Sequence, residues 1–463
     1  MIARWFLWIE IALCLPGALF AAQQTKSPPN VILILSDDQG TLDLNCYGSR
    51  DLQTPHLDAL AKRGLRFTEF YVASPVCSPS RAALLTGRQP LRAGLKGNVS
   101  SLRDHSGMAT AEVTIAEMLK AAGYRTGLFG KWHLGTVPEC EPIGQGFDEF
   151  FGHKGGCIDN WSHFMYWQGP HFHDLWRNDK EHWEYGAFFG DVIVREAHRF
   201  IEQNRRRPFF LFLPFNMPHY PCQPPETFLR LYPHLSEPRR SYAAAITALD
   251  SAVGEVVRQV DKLGLRERTL IIFQSDHGHS TEERAGFGGG NAGPYRGAKF
   301  SLFEGGIRVP CIVSWPGTLP EGEVRTQPAT SMDWLPTLAG ICGAQLPLRK
   351  LDGRSILPVL KSSAAISPHE VLHWQLDRQW AVRQGDWKLV VNGRDAILTN
   401  QLAETDRIFL SNLAESPFET NNLARGHPQK VEDLTRLHQE WSDEIERVNS
   451  SPSPTPPRNP LFP

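Results

Sequence analysis

Four strand-like stretches, three of them largely apolar runs, constrain this chain more than any other feature. They are Asn30-Val31-Ile32-Leu33-Ile34-Leu35-Ser36, Tyr124 to Phe129, Pro208-Phe209-Phe210-Leu211-Phe212-Leu213-Pro214 and Thr269-Leu270-Ile271-Ile272-Phe273-Gln274-Ser275. A run with no apolar–polar alternation suits a strand covered on both faces, as in the parallel sheet of an α/β protein. Helical spacing recurs between the runs. It covers Thr54 to Gly64, Thr114 to Ala122, with Thr114 and Glu117 placed as a capping box, and Tyr242 to Leu263. Each run finishes in polar groups: Asp37-Asp38, Lys131 and His133 across Trp132, Asn216-Met217-Pro218-His219, and Asp276-His277. Lys131 and His133 are expected just beyond the end of their strand, pointing the same way. Ligands of open α/β sheets bind beyond the carboxyl ends of the strands. Four endings with complementary chemistry therefore predict one site. Adjacent carboxylates such as Asp37 and Asp38 repel each other unless solvated in a turn or bonded to a hard divalent cation.

The stretch Pro75-Val76-Cys77-Ser78-Pro79-Ser80-Arg81-Ala82-Ala83-Leu84-Leu85-Thr86-Gly87 reads as a helix start. Ser78 is a candidate N-cap, with Pro79 as the first helical residue and Cys77 just before the helix N-terminus, where anions are stabilised. Arg81 opposes the helix dipole there. That marks a site for negative charge with a nucleophile at its lip; the bland alternative is a capped surface helix with a packed cysteine.

This string resembles the C-x-P-x-R signature of type I sulfatases, whose cysteine is oxidised after synthesis to formylglycine. Gly123-Tyr124-Arg125-Thr126-Gly127-Leu128-Phe129-Gly130-Lys131-Trp132-His133 resembles the family's G-Y-x-[ST]-x-x-x-G-K-W-H block. Arg296-Gly297-Ala298-Lys299 with Glu304-Gly305-Gly306-Ile307-Arg308-Val309-Pro310 resembles a third block, and Leu410 to Ala424 the closing strand and turn. The resemblance, from residue 30 to about 424, implies an alkaline-phosphatase-like fold: a large, mostly parallel mixed sheet sandwiched by helices, plus a smaller C-terminal α+β domain. It implies that Asp37, Asp38, Asp276, His277 and the modified Cys77 hold a divalent cation, Ca2+ first, with Mg2+ or Mn2+ open because one ligand is nitrogen. It further implies that a formylglycine diol hydroxyl attacks the ester sulfur and that His219 protonates the leaving alcohol. Lys299 would neutralise sulfate oxygens, Arg81 and Lys131 would hold the diol, and His133 would accept the proton whose loss expels sulfate. The rival readings are a phosphonate or phosphodiester hydrolase of the same superfamily and an inactive carbohydrate-binding homologue.

At 463 residues the chain exceeds one compact core. The expected parts are a signal peptide at 1–22, a catalytic domain at 28–343, a C-terminal antiparallel-sheet subdomain at 344–449 and a disordered Pro-rich tail at 450–463. The strands Leu372-His373-Trp374, Trp380 to Arg383 and Trp387 to Val391 and a helix from Val431 to Val448 belong to the subdomain. The leader predicts secretion or a periplasmic location, with lipidation at Cys14 the weaker reading after bulky Leu13. A net charge of −2 excludes a polybasic nucleic-acid or anionic-membrane surface. Of eight cysteines, none shows the C-x-x-C spacing of a zinc site. A Cys140–Cys157 bridge and buried free thiols both remain open. Residues 150–190 lack a clean period but carry His153, Trp161, His163, Trp167, His171, His173, Trp176, His182 and Trp183. Such a segment either covers core or walls a site for flat ligands such as sugars, with Arg177 and Lys180 placed to meet an anion. The expected partners are a sulfated saccharide and a formylglycine-generating enzyme.

Overall fold

The computed structural model describes residues 28–166, 171–395 and 404–450. The expected leader with Cys14, the ring of Trp167 and the tail beyond 450 lie outside these residues.

The strand Asn30–Ser36 is central to a ten-stranded mixed sheet. It is flanked on both sides by parallel strands, Phe209–Pro214 and Thr269–Ser275. Beyond Phe209–Pro214 lies Arg125–Lys131, also parallel, followed by Glu149–His153. On the other side the antiparallel strand Cys311–Ser314 pairs with Thr269–Ser275. The lack of alternation has the expected cause. Val31, Leu33 and Leu35 enter one apolar cluster and Ile32 and Ile34 the other, all fully buried. Each such side chain contributes about 1.5–3 kcal/mol of hydrophobic stabilisation.

Helices Pro55–Lys62, Phe189–Asn204 and Arg239–Lys262 cover the Ile32/Ile34 face through Leu57, Phe200 and Val253. Helices Cys77–Thr86, Ile115–Ala121 and Trp334–Cys342 cover the other through Leu84, Met118 and Leu338. The capping box at Thr114 is present: its hydroxyl accepts from Glu117 N, and the Glu117 carboxylate accepts from Thr114 N.

Two expectations about strands need correction. The strand beginning near Tyr124 runs two residues further, so Lys131 is its last residue rather than a loop residue. Gly130 permits this, because its φ of +137° is coupled to an approach at which a Cβ would stand 2.0 Å from the Pro214 carbonyl oxygen. The segment after residue 148, which showed no period, opens with the strand Glu149–His153, paired Gly152 to Gly130 and His153 to Lys131.

The C-terminal region forms the four-stranded antiparallel sheet Val371–Leu376, Gln379–Gln384, Trp387–Val391 and Ile408–Asn412. The helix Pro428–Ser450 closes one face, with Leu434 against Val382, Leu389 and Leu410 and His438 stacked on Trp380. The opposite face offers Trp374, Ala381, Val390 and Phe409 to the core of the large sheet. An ion cluster lies at this junction. Lys388 Nζ is 2.8 Å from Glu304 and 3.0 Å from Glu419, with all three side chains inaccessible. Burial raises both carboxyls, but Lys388, Arg308 and Arg383 overcome it at Glu304 and hold that group near 2. Glu419 is left at about 7 by burial, with Glu304 opposing its ionisation and Lys388 favouring it.

Removing one partner of a buried ion pair leaves an uncompensated charge, which costs about 3–5 kcal/mol. Lys388→Met is therefore expected to lower the urea midpoint strongly, and adding Glu419→Gln to recover part of the loss. An unchanged midpoint in Lys388→Met would refute the role given to this cluster.

Candidate active site

Beyond the carboxyl ends of the central strands the predicted residues meet. Asp37 and Asp38 follow Asn30–Ser36, Lys131 ends its strand, His219 follows Phe209–Pro214, and Asp276 and His277 follow Thr269–Ser275. Candidate ligand atoms of Asp37, Asp38, Cys77 and His219 lie within 4.8 Å of one another, as do those of Asp37, Cys77, Asp276 and His277. All six residues are buried.

Cys77 is the first residue of its helix, with Val76 as the extended N-cap. Ser78 is therefore not the cap. Its N–H donates to Asn98 Oδ1 and its hydroxyl accepts from Val99 N, so it fastens the neighbouring loop instead. The Cys77 thiol lies 3.2 Å from His277 Nε2 and 3.5 Å from Lys131 Nζ. Burial disfavours the thiolate, but Lys131, Lys299 and His277 outweigh it and hold the thiol well below its ordinary range. A thiol at a helix N-terminus is thus surrounded by groups that favour its thiolate.

Arg81 points back across the helix start. Its Nε and Nη2 donate to Asp276 Oδ2 at 3.1 and 3.0 Å, and its Nη1 donates to the Lys131 carbonyl at 3.2 Å. One guanidinium therefore ties two strand ends to the helix, which explains a cation in the first turn. Lys131 Nζ donates to Asp37 Oδ2 at 2.5 Å, and Lys299 Nζ to Asp38 Oδ2 at 3.0 Å. Burial penalises Asp37, yet Lys131, His219, Arg81 and Lys299 hold it well below the usual carboxylate range. Burial dominates at the other two carboxyls, lifting Asp38 to about 7 and Asp276 to about 6.

These residues fit a hard divalent cation. Asp38 Oδ1 is buried with no hydrogen-bond donor. His277 Nδ1 bonds the Gly278 carbonyl at 2.9 Å, so Nε2 faces Asp38 and Asp276 at 3.5 and 3.6 Å. Such a second bond is the usual device for orienting a ligating imidazole. Burial disfavours the imidazolium, but Asp276, Cys77 and Asp38 raise His277 to about 9, a measure of how strongly this point favours positive charge.

His133 and His219 stand on either side. His133 takes a φ of +61° and bonds Val99 O through Nε2 at 3.1 Å, beside the Cys77 thiol. A Cβ at Gly156 would stand 2.6 Å from the His133 ring, so only glycine fits against it. His219 lies 3.7 Å from Asp38 through Nε2, its ring stacked on Tyr220 with centroids 4.1 Å apart. Burial lowers both imidazoles, His219 by more.

Other expected residues lie elsewhere. Arg177 is engaged by Glu196 and Lys180 is exposed on the outermost strand pair of the sheet. Lys154 Nζ and the Arg103 guanidinium sit 3.8 and 5.5 Å from the centroid of the Trp176 ring, whose Nε1 donates to Asp174, so the ring already serves two cations. The seven described cysteines are all free, so Cys140 and Cys157 are unbridged. Sequence reading missed the loop around Val99, which positions both Ser78 and His133, because nothing in its local pattern marks it.

Comparison with known proteins agrees with this geometry. The Sulfatase family model matches residues 29–344 and the C-terminal model of N-sulphoglucosamine sulphohydrolase matches 297–447. The chain is 36% identical to arylsulfatase A of Bos taurus over 88% of its own length and 85% of that protein. It is 31% identical to N-acetylgalactosamine-6-sulfatase of Homo sapiens over 90% of its length and 85% of that protein. Among solved structures, Ps i-CgsB superposes with a TM-score of 0.80 at 29% identity, covering 92% of this chain and 98% of the other. With the family model spanning the strand-end residues and these relatives covering most of the chain, the chain belongs to the sulfatase family and is a sulfuric ester hydrolase.

Proposed function

We propose that this protein is a metal-dependent sulfatase that uses formylglycine made from Cys77 and acts on a sulfated carbohydrate. The observation that carries the reading is the buried set around Cys77: three carboxylates, His277 and the cations Arg81, Lys131 and Lys299 in one cluster at a helix N-terminus. Asp37, Asp38, Asp276 and His277, with residue 77, would hold the cation. Carboxylate oxygens favour calcium. When present, the cation supplies Lewis acidity and the hydrated aldehyde an ionisable diol.

The remaining roles belong to the chain itself. Lys131, between Asp37 and residue 77, holds the nucleophilic group against the carboxylates. Arg81 fixes Asp276 and the end of the Lys131 strand, so neither can retreat from the charge cluster. Lys299 offers a buried ammonium to sulfate oxygens as negative charge builds on them. His219 is placed to deliver a proton from Nε2 to the departing alcohol oxygen, and His133 to take one from residue 77. Burial disfavours the imidazolium at both positions, which suits His133 as a proton acceptor and makes His219 the stronger acid once it carries a proton.

The carbohydrate assignment is supported by relatives. One is an N-acetylgalactosamine-6-sulfatase, and Ps i-CgsB has been solved with k-i-k-neocarrahexaose at 29% identity to this chain. Secretion, and maturation by a formylglycine-generating enzyme, complete the proposal. Among the described residues no helix is long and apolar enough to cross a membrane.

Matured enzyme is expected to release inorganic sulfate from N-acetylgalactosamine 6-sulfate or a sulfated neocarrahexaose as well as from 4-nitrophenyl sulfate. Cys77→Ala should lower each rate at least ~10³-fold. Sulfate release surviving that change would overturn the nucleophile, and turnover confined to the aryl ester would overturn the substrate class. Binding of a cation to the folded state alone raises stability, by about 2.7 kcal/mol at a hundredfold excess over Kd. Calcium should therefore raise the thermal midpoint of the wild type and do so much less in Asp38→Asn. An equal rise in both would remove Asp38 from the cation site.

A further inference from the structure

The lysine and the histidine assigned to the two sides of the scissile bond are linked, one directly and one through Tyr220, by a carboxylate that the proposed reaction does not use. Glu282 lies on the loop after Asp276 and His277, with its side chain only 10% exposed. Its Oε2 accepts from the Tyr220 hydroxyl and from the Ser280 hydroxyl, each at 3.1 Å, and lies 3.5 Å from Lys299 Nζ. Its Oε1 pairs with Arg284. Tyr220 in turn carries His219. The two rings stack with an interplanar angle of 29°, and His219 Nδ1 bonds the Tyr220 carbonyl at 2.6 Å. The Lys299 ammonium also sits 5.3 Å from the centroid of the Tyr220 ring.

A loop anchor alone needs no buried carboxylate, since burying one costs several kcal/mol before its partners compensate. An apolar side chain would pin the loop as well. What the carboxylate does that an apolar group cannot is accept from the phenol while attracting the ammonium. The geometry points to Glu282 as a positioning residue that sets Lys299 and His219 at a fixed spacing, through the Tyr220 hydroxyl. The sulfate group and the departing oxygen are then met together. With its hydroxyl untethered, the Tyr220 ring turns, the plane under His219 shifts, and the proton donor loses its alignment. Misplacement by about 1 Å costs up to ~10²-fold in such steps.

This inference rests on the proposed roles of His219 and Lys299, so its test must separate the two. Matured enzyme is assayed with 4-nitrophenyl sulfate, whose phenol leaves with little help, and with phenyl sulfate, whose phenol needs a proton. His219→Ala should lose ~10²-fold or more in kcat on phenyl sulfate and far less on the nitrophenyl ester. Tyr220→Phe removes one oxygen atom and only the link to Glu282. It should lose about tenfold in kcat on phenyl sulfate and under about threefold on the nitrophenyl ester, the signature of a misaligned acid. Glu282→Gln should show the same selectivity and, through Lys299, a raised KM for both esters. Selective loss in His219→Ala with none in Tyr220→Phe and Glu282→Gln would overturn the positioning role while leaving the acid assignment intact. No selectivity in His219→Ala would overturn both. A merely structural contribution of Glu282 would lower the two rates equally, which also contradicts the inference.

Discussion

The structure depends on charge being buried in balance at the ends of parallel strands. Asp37, Asp38 and Asp276 are withdrawn from water at one point, and Arg81, Lys131 and Lys299 are withdrawn with them. An isolated carboxylate in such surroundings costs several kcal/mol, so no single member of the set is tolerable alone. The balance is uneven across the site. Asp37, with most of the cations around it, stays firmly ionised, while Asp38 and Asp276 are raised to about 7 and 6 by burial. The side holding Asp38, Asp276 and His277 is therefore the side that a cation would relieve.

That cluster also explains why the two sheets are joined as they are. The helix beginning at Cys77 lies on the core face that also receives the C-terminal sheet, with Leu84 and Trp374 in one apolar cluster. Trp374 Nε1 donates to the Val72 carbonyl, a few residues upstream of Cys77. The Glu304–Lys388–Glu419 group makes the same junction by charge. Residues 296–308, which carry Lys299, are thus held between the small sheet and the strand ends. Packing energy from the C-terminal region is converted into a fixed position for the Lys299 ammonium.

Much of this was legible in the sequence because its cause is local. Runs such as Val31 to Leu35 announce a strand covered on both faces, and the residue where the run stops is the residue that reaches the site. The helix at Cys77 was legible as well, although its start was misplaced by two residues because Ser78 serves a loop rather than the cap. Lys131 was assigned to a loop since the close approach at Gly130, which prolongs the strand, is a relation between backbones distant in sequence. Glu149–His153 was overlooked for a similar reason, with Gly152 hiding the period. Glu282 and Val99 lie in irregular loops, and only the folded chain brings them to Lys299 and His133; Tyr220 adjoins His219 in sequence, but the stacking of the two rings is set by the fold. Trp176, attractive as a bare ring in the sequence, already serves two cations in space.

The proposed function requires residue 77 to work as an aldehyde hydrate made from cysteine rather than as a thiol. The mass of the peptide carrying Cys77, taken from protein matured in an oxidising compartment, tests it most directly. A dehydrated peptide about 18 Da lighter than the cysteine form is expected, a product off the usual oxidation ladder of a thiol. An unmodified Cys77 in protein that releases sulfate would contradict it.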